Sequence, residues 1–223
     1  MRHVAVLARA PSARGKTRLT AELPDARARA LRAALLADTL EVVASTGEAC
    51  TVFVTPPEAQ AEVAAMVHRP PNPERRGFSP GVMVAAQGEG ELGHRMHAAM
   101  EALFAAGADR VVLVGSDLPS LPASRVTAAF AALDSGSEPV LGPAEDGGYY
   151  LIGLTRSQPR LFEGIAWGGG DVLRQTLEVA AREGMAPALI DPWYDVDVAD
   201  DLHRVIDSSA SAPAVRAWFA AGP

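Results

Sequence analysis

A chain of 223 residues with a formal net charge of −7, apolar over 48% of its length but only 5% aromatic, has the size of one α/β domain with an alanine-rich, helix-rich core. The negative charge argues against a nucleic-acid partner, because a polyanion is bound through clustered, excess Lys and Arg. One cysteine, Cys50, excludes an internal disulfide and a thiolate metal cage, and no stretch approaches the roughly 18–20 apolar residues that span a bilayer, so the expected setting is a reducing cytoplasm with no membrane.

Apolar runs of strand length alternate with helical spacing, the signature of a mostly parallel sheet covered by helices. Val4–Ala8 reads as the first strand. Leu31, Leu35, Leu36, Leu40 and Val43 recur at helical spacing after Pro24-Asp25, predicting a helix to about Ser45. Cys50–Thr55 reads as a strand with Cys50 as buried filler, followed by a helix through Ala59, Val63 and Met66. Residues 68–81, with four prolines and three arginines, read as a loop or flap. Val82–Ala86 is a third strand, 92–105 a helix with Leu92, Met96, Met100 and Leu103 on one face, and Arg110–Val114 a strongly apolar fourth strand.

The second half differs in pattern. Residues 139–143 and 149–154 read as strands joined by Glu145-Asp146-Gly147-Gly148, a hairpin-like turn that makes the sheet mixed. A helix over 170–183, a short strand over 188–190 and a helix over 199–207 follow. After a polar linker at 208–213 comes a small helix containing Trp218, so residues 1–223 read as one domain with its core in about 1–207.

Lys16 is the single lysine of the chain; the other nineteen cations are arginines. Flanked by Gly15, Thr17 and Arg18 after the first strand, it suggests a compact ammonium with a specific task, and holding phosphate is the obvious one. The loop is not a Walker A motif, since Ala10 stands where the first glycine belongs, Pro11 offers no N–H, and Pro24 interrupts the helix too early. Gly115-Ser116-Asp117-Leu118-Pro119 ends the most apolar strand, where open α/β sheets place ligands. Asp195-Val196-Asp197 supplies a distant second carboxylate. Two aspartates at strand ends are the oxygen inventory that Mg²⁺ (or Mn²⁺) shares with substrate phosphates, with either Asp195 or Asp197 beside Asp117. The competing reading of Asp197 is that it joins the acidic first turn of the following helix.

Asp146-Gly147-Gly148-Tyr149 is also simply good turn sequence, and of Tyr149 and Tyr150, which point to opposite faces of a strand, one at most is expected to reach substrate. Trp167, before three glycines, either covers a pocket or packs beneath them. His94 and His97 are spaced i, i+3 near Glu91, and a solvated face is the expectation for them.

Together, Gly15-Lys16-Thr17-Arg18-Leu19, Gln87 with G-x-G-E-L-G and Arg95-Met96, V-L-V-G-S-D-L-P, D-G-G-Y-Y-L-I-G and D-V-D-V-A-D-D-L resemble the GT-A-fold nucleotide-diphospho-sugar transferase superfamily. Within it the chain most resembles the DUF2064 group, also called the radical-SAM/selenodomain-associated transferase 1 family, over nearly all of residues 1 to about 206. The resemblance implies a Rossmann-like GT-A fold, a mixed sheet with helices on both faces. It implies a metal at Asp117 and Asp197, with Lys16 and Arg18 at the nucleotide phosphates. The strand and loop residues Leu7, Ala8, Arg9, Ala10, Gly15 and Thr17, together with Ser116, would line the nucleotide. Gln87, Leu92 and Gly93 would lie near its base and ribose, and Asp146, Gly147, Gly148, Tyr149 and Trp167 would line the acceptor side. The Lys16 loop is one residue shorter than is usual in the group, closer in spacing to phospholactate/phosphoenolpyruvate guanylyltransferases.

The leading expectation is a Mg²⁺-dependent nucleotidyltransferase. A phosphate or phosphonate acceptor, already largely ionised with a second pKa of ~6, attacks the α-phosphorus of a nucleoside triphosphate and pyrophosphate leaves, so that no general base is needed. Lys16, Arg18 and Asp117 would carry catalysis by positioning and charge stabilisation. A glycosyltransferase using an NDP-sugar is the alternative, and a nucleotide-binding module without turnover a third reading. A monomer or homodimer is expected.

Overall fold

Seven strands form one sheet in the computed structural model of the chain, which describes residues 1–68 and 81–222. The loop or flap expected at 68–81 lies almost wholly outside the described residues. In chain order the strands are β1 (Arg2–Arg9), β2 (Ala49–Thr55), β3 (Val82–Ala86), β4 (Arg110–Gly115), β5 (Val140–Pro143), β6 (Tyr149–Leu154) and β7 (Ala188–Leu189). Their order across the sheet is β3-β2-β1-β4-β6-β5-β7, with β6 antiparallel to both neighbours and every other pairing parallel. The fold is the expected Rossmann-like, mostly parallel mixed sheet.

The helices are α1 (Thr17–Thr20), α2 (Asp25–Ser45), α3 (Gln60–His68), α4 (Leu92–Ala105), α5 (Ala123–Asp134), α6 (Val172–Arg182), α7 (Ala199–Asp207) and α8 (Pro213–Ala220). Val4, Val6, Val52, Val54, Val112 and Val114 point to one face and pack with α2, α3 and α5. Ala5, Phe53, Val111, Leu113, Ile152 and Leu154 point to the other and pack with α4 and α6. This period-two division of near-continuous apolar runs is what a sheet covered on both faces requires. Helix α2 is buried nearly all round, because Leu36, Leu40 and Val43 face the sheet while Leu31 and Leu35 meet α7, α8 and the 194–196 segment. Each such leucine is worth about 1.5–3 kcal/mol relative to an exposed one. Cys50 is buried as expected, and burial pushes its thiol up to about 12, leaving no reactive thiolate.

The topology places a crevice. Chain leaving β1 turns to one side towards β2, whereas β4 lies on the other, so the carboxyl ends of β1 and β4 face a switch point of the kind where α/β sheets bind ligands.

Candidate active site

The loop after β1 is anchored before it becomes functional. Ala10 N–H donates to Thr55 O (2.8 Å) and the residue is wholly buried in the core, so Ala10 anchors the loop and lines none of the three cavities described below. At Gly15 a Cβ would stand 2.7 Å from Arg9 Cδ, so glycine lets the Arg9 side chain lie across the loop, with its Nη1 donating to Arg14 O at 3.2 Å. Lys16 itself takes the left-handed conformation (φ 54°, ψ 42°), and among the described residues it is the one non-glycine that does so. That geometry costs roughly 1–2 kcal/mol for an L-residue. It turns the lysine side chain inward as α1 begins, with Thr20 Oγ1 donating to Lys16 O at 2.9 Å.

Asp117 follows β4, and its backbone is held from two directions. The buried Thr39 hydroxyl of α2 accepts from Leu118 N–H (3.0 Å) and lies 3.0 Å from the Ser116 carbonyl, bracketing Asp117. Val196 N–H then donates to Asp117 O at 3.0 Å, which draws the 195–197 segment alongside. The capping role weighed for Asp197 belongs to Asp201, whose carboxylate accepts from the N–H groups of Asp197 and Val198 at 3.0 and 2.9 Å. The Asp197 side chain is thereby free to turn inward.

These constraints bring three carboxylates to one cation. Lys16 Nζ lies 3.0 Å from Asp117 Oδ2, 3.5 Å from Asp195 Oδ2 and 3.5 Å from Asp197 Oδ1. Burial opposes the charge on Lys16, but the three carboxylates outweigh it and hold the ammonium above the ordinary lysine value. Asp195 moves the other way for an acid: burial, with Asp117 and Asp146 adding repulsion, raises its carboxyl above the usual range despite Lys16. Arg18 is exposed and pairs with Asp197 at 3.2 Å. Among the described residues no three acids or histidines form a ready metal cage. The carboxylates instead converge on an ammonium, and their hard oxygens fit a divalent ion that takes one or two of them and completes its shell from a phosphate ligand.

Three cavities meet here. The smallest, about 90 Å³, is lined by Arg9, Gly15, Lys16, Arg32, Ser116 and Asp117. Arg32, on α2, is held by Nε donating to Pro11 O at 2.9 Å. A second, about 270 Å³, runs along the ends of β1, β2 and β4 past Leu7, Ala8, Thr55, Gln87, Leu92 and Arg95. The third, about 220 Å³, is walled by Asp146, Gly148, Tyr149, Tyr150, Trp167, Val172 and Asp195. The last two share Leu92, Met96, Asp117 and both tyrosines.

Several expected roles change. Gln87 is buried, with Nε2 donating to Ala8 O (2.8 Å) and Phe53 O (3.0 Å), so its amide protons are committed to the backbone rather than open to a ligand. Thr17 opens α1 and lines none of these cavities. Gly93 packs beneath Trp167, where a Cβ would lie 2.5 Å from the indole Nε1. Gly147, at φ +87°, sits where a Cβ would stand 1.9 Å from Gly170 O, so it serves the turn and loop packing. Trp167 both lines the third cavity and packs, edge-on to Tyr149 with ring centroids 6.4 Å apart. Tyr149 and Tyr150 do leave β6 on opposite faces, yet both line the cleft, which wraps around the end of the sheet. Burial raises the Tyr149 phenol and pushes Tyr150 up to about 12, so neither is a base at neutral pH. His97 is only partly solvated: its Nε2 lies 3.0 Å from Ser157 Oγ and its ring 5.8 Å from that of Phe162, whereas His94 is exposed. Arg32 and Thr55 escape sequence reasoning, and Arg95 enters it only within the Arg95-Met96 motif of the resemblance, with no site role; the nearest signal for Arg95 is its position just inside the helix after the Gly/Glu loop.

The profile of the family described as "Uncharacterized protein conserved in bacteria (DUF2064)" matches residues 38–169. A "putative nucleotide-diphospho-sugar transferase" from Desulfovibrio desulfuricans G20 is similar in structure with a TM-score of 0.81 and 31% identity, covering 99% of this chain and 95% of its own. A 4-diphosphocytidyl-2C-methyl-D-erythritol synthase shares the fold at TM-score 0.58 and 12% identity, over 92% and 95% of the two chains. So does Rv0371C of Mycobacterium tuberculosis H37Rv in complex with manganese, at TM-score 0.50 and 20% identity over 93% and 98%. No curated protein matches the sequence.

Proposed function

The chain belongs to the DUF2064 family, and from that membership we propose that it is a divalent-metal-dependent transferase acting on a nucleotide, with nucleotidyl transfer from a nucleoside triphosphate as its reaction. The observation that carries this reading is the convergence of Asp117, Asp195 and Asp197 on Lys16 beside a small cavity lined by Arg9 and Arg32. Relatives of this fold include a cytidylyl-type synthase and a manganese complex, which supports a nucleotide and a hard divalent ion here too.

Mg²⁺ or Mn²⁺ held by Asp117 would supply charge neutralisation at the phosphate oxygens. Asp195 is the better second ligand than the Asp197 expected from the resemblance. It lines the same cavity as Asp117, whereas Asp197 does not and is engaged by Arg18. Lys16 then exchanges its carboxylate partners for phosphate oxygens. With Arg9 and Arg32 it stabilises charge developing on the departing pyrophosphate, and Arg18 flanks the same phosphates from the exposed side. The acceptor's nucleophile enters from the Tyr149–Trp167 cavity, and a phosphate or phosphonate provides one without a general base.

Glycosyl transfer from an NDP-sugar is the second reading, favoured by a specific observation. Among the described residues, the lining of the Tyr149–Trp167 cavity contains Asp117, Asp146 and Asp195 but no Lys, Arg or His, a wall better suited to sugar hydroxyls than to a free phosphate. Thermal-shift titration with the four nucleoside triphosphates and common NDP-sugars, with and without Mg²⁺, followed by product analysis, separates the readings. Metal-dependent stabilisation by a triphosphate and release of pyrophosphate is the expected result; nucleoside diphosphate from an NDP-sugar would select the second reading, and no stabilisation by any of them would remove both.

A further inference from the structure

Resting on the nucleotide reading above, we infer that Arg95 reads the base of that nucleotide, and that the base is one presenting carbonyl acceptors, guanine first. Arg95 lies near the start of α4, half-buried, and lines the cavity at the ends of β1, β2 and β4. Its orientation is imposed by Gln87. Both amide protons of Gln87 are taken by the carbonyls of Ala8 and Phe53, so Oε1 is left to accept from Arg95 Nη1 at 3.2 Å. One edge of the guanidinium is thereby pinned, and Arg95 Nε is buried with no hydrogen-bond partner among the described residues. The buried Nε is out of a ligand's reach, but the guanidinium is held at Nη1 with Nη2 uncommitted among the described residues, in a cavity lined by Leu7, Ala8 and Leu113, which makes it a prepared donor beside an apolar wall.

The polarity of that edge selects its ligand. Among the described residues lining this cavity the carboxylate is Asp117, which follows β4, two strands from Thr55 at the end of β2. The base end therefore offers donors from Arg95 and a hydroxyl from Thr55. Adenine and cytosine would set an exocyclic amino donor against the donor-only guanidinium of Arg95, whereas the Thr55 hydroxyl can donate or accept and does not discriminate. Guanine brings O6 and N7, two acceptors spaced for the arginine fork, and uracil brings single carbonyls.

The test is calorimetric titration in Mg²⁺ of wild type, Arg95→Met and Arg95→Lys with GTP, UTP, ATP, CTP and inorganic tripolyphosphate. Wild type should bind GTP about tenfold or more tighter than ATP and CTP. Both variants, checked for folding by thermal melting, should lose that preference while their affinity for tripolyphosphate stays unchanged; the lysine variant keeps the charge and loses only the fork. Equal binding of all four nucleotides by wild type, or a parallel loss of tripolyphosphate and GTP in the variants, would overturn the role of Arg95 and leave the nucleotide reading standing. Failure of every triphosphate to bind would overturn both.

Discussion

The two sides of the cleft are built oppositely. Along the parallel half, towards the ends of β1 and β2, the charged lining side chains other than Asp117 are cations: Arg9, Arg32, Arg95 and the lone Lys16. Along the hairpin half, where β6 runs antiparallel, they are Asp146, Asp195, Tyr149 and Trp167. A uniform cleft would bind an anion anywhere along its length. Under the proposed function, this one would give a polyphosphate a single favourable side and leave the other for a neutral or metal-escorted group, and the charge distribution would set the direction of transfer. Asp117 and Lys16 stand at the seam.

The largest effect that could break this division is at the seam itself. Asp117→Asn should abolish Mg²⁺-dependent stabilisation by nucleotide and lower turnover on the order of 10³-fold, read by thermal shift and product release; unchanged metal dependence would remove Asp117 from the site. Next, Lys16→Arg should keep the charge yet lower turnover about 10- to 100-fold, because a planar fork does not fit the space between three carboxylates that an ammonium occupies at 3.0–3.5 Å. Near-normal kcat would make the lone lysine an accident of composition.

A smaller effect separates the halves. Gly93→Ala drives a methyl to 2.5 Å from Trp167 Nε1, which should displace the indole, destabilise the fold by about 1–3 kcal/mol and raise the acceptor KM while leaving nucleotide Kd unchanged. A change in Kd alone would show that the two sides are not separable.

The smallest concerns Asp195. Burial, aided by Asp117 and Asp146, raises its carboxyl, so the folded state holds the proton more tightly than the unfolded chain. The cost of its charge is absent at a pH below the unfolded value and fully present once pH exceeds the folded one. Asp195→Asn should therefore raise the melting temperature of the ligand-free protein by about 1 °C at pH 7, little because the side chain is half-exposed, and not at all near pH 3. It should also weaken Mg²⁺-dependent nucleotide binding. A lower melting temperature at pH 7 would contradict the charge account.

Much of this is legible in the sequence, and what is not has a common cause. Strand and helix periods, the carboxyl-end position of Asp117 and the inventory of distant aspartates are local or topological properties, and they appear in the order of residues. The meeting of Lys16 with its carboxylates depends on Val196 N–H reaching Asp117 O and on Thr39 bracketing the same loop, contacts between segments 77–79 residues apart in chain order. Gln87 looks like a ligand-reading amide until the strand carbonyls that consume its protons are known. Arg95 becomes visible only after Gln87 is accounted for. Trp167 could not be assigned from its neighbours, because its partner, Gly93, contributes by having no side chain.

Because Lys16 is the only lysine, selective [¹⁵N]lysine labelling yields one side-chain ammonium resonance, and that resonance reports the central claim. A nucleoside triphosphate with Mg²⁺ should shift it as the ammonium leaves Asp117, Asp195 and Asp197 for phosphate, and tripolyphosphate with Mg²⁺ should reproduce the shift. A resonance that stays in place while bound nucleotide is demonstrated by calorimetry would show that Lys16 remains an internal counter-ion and takes no part in holding phosphate.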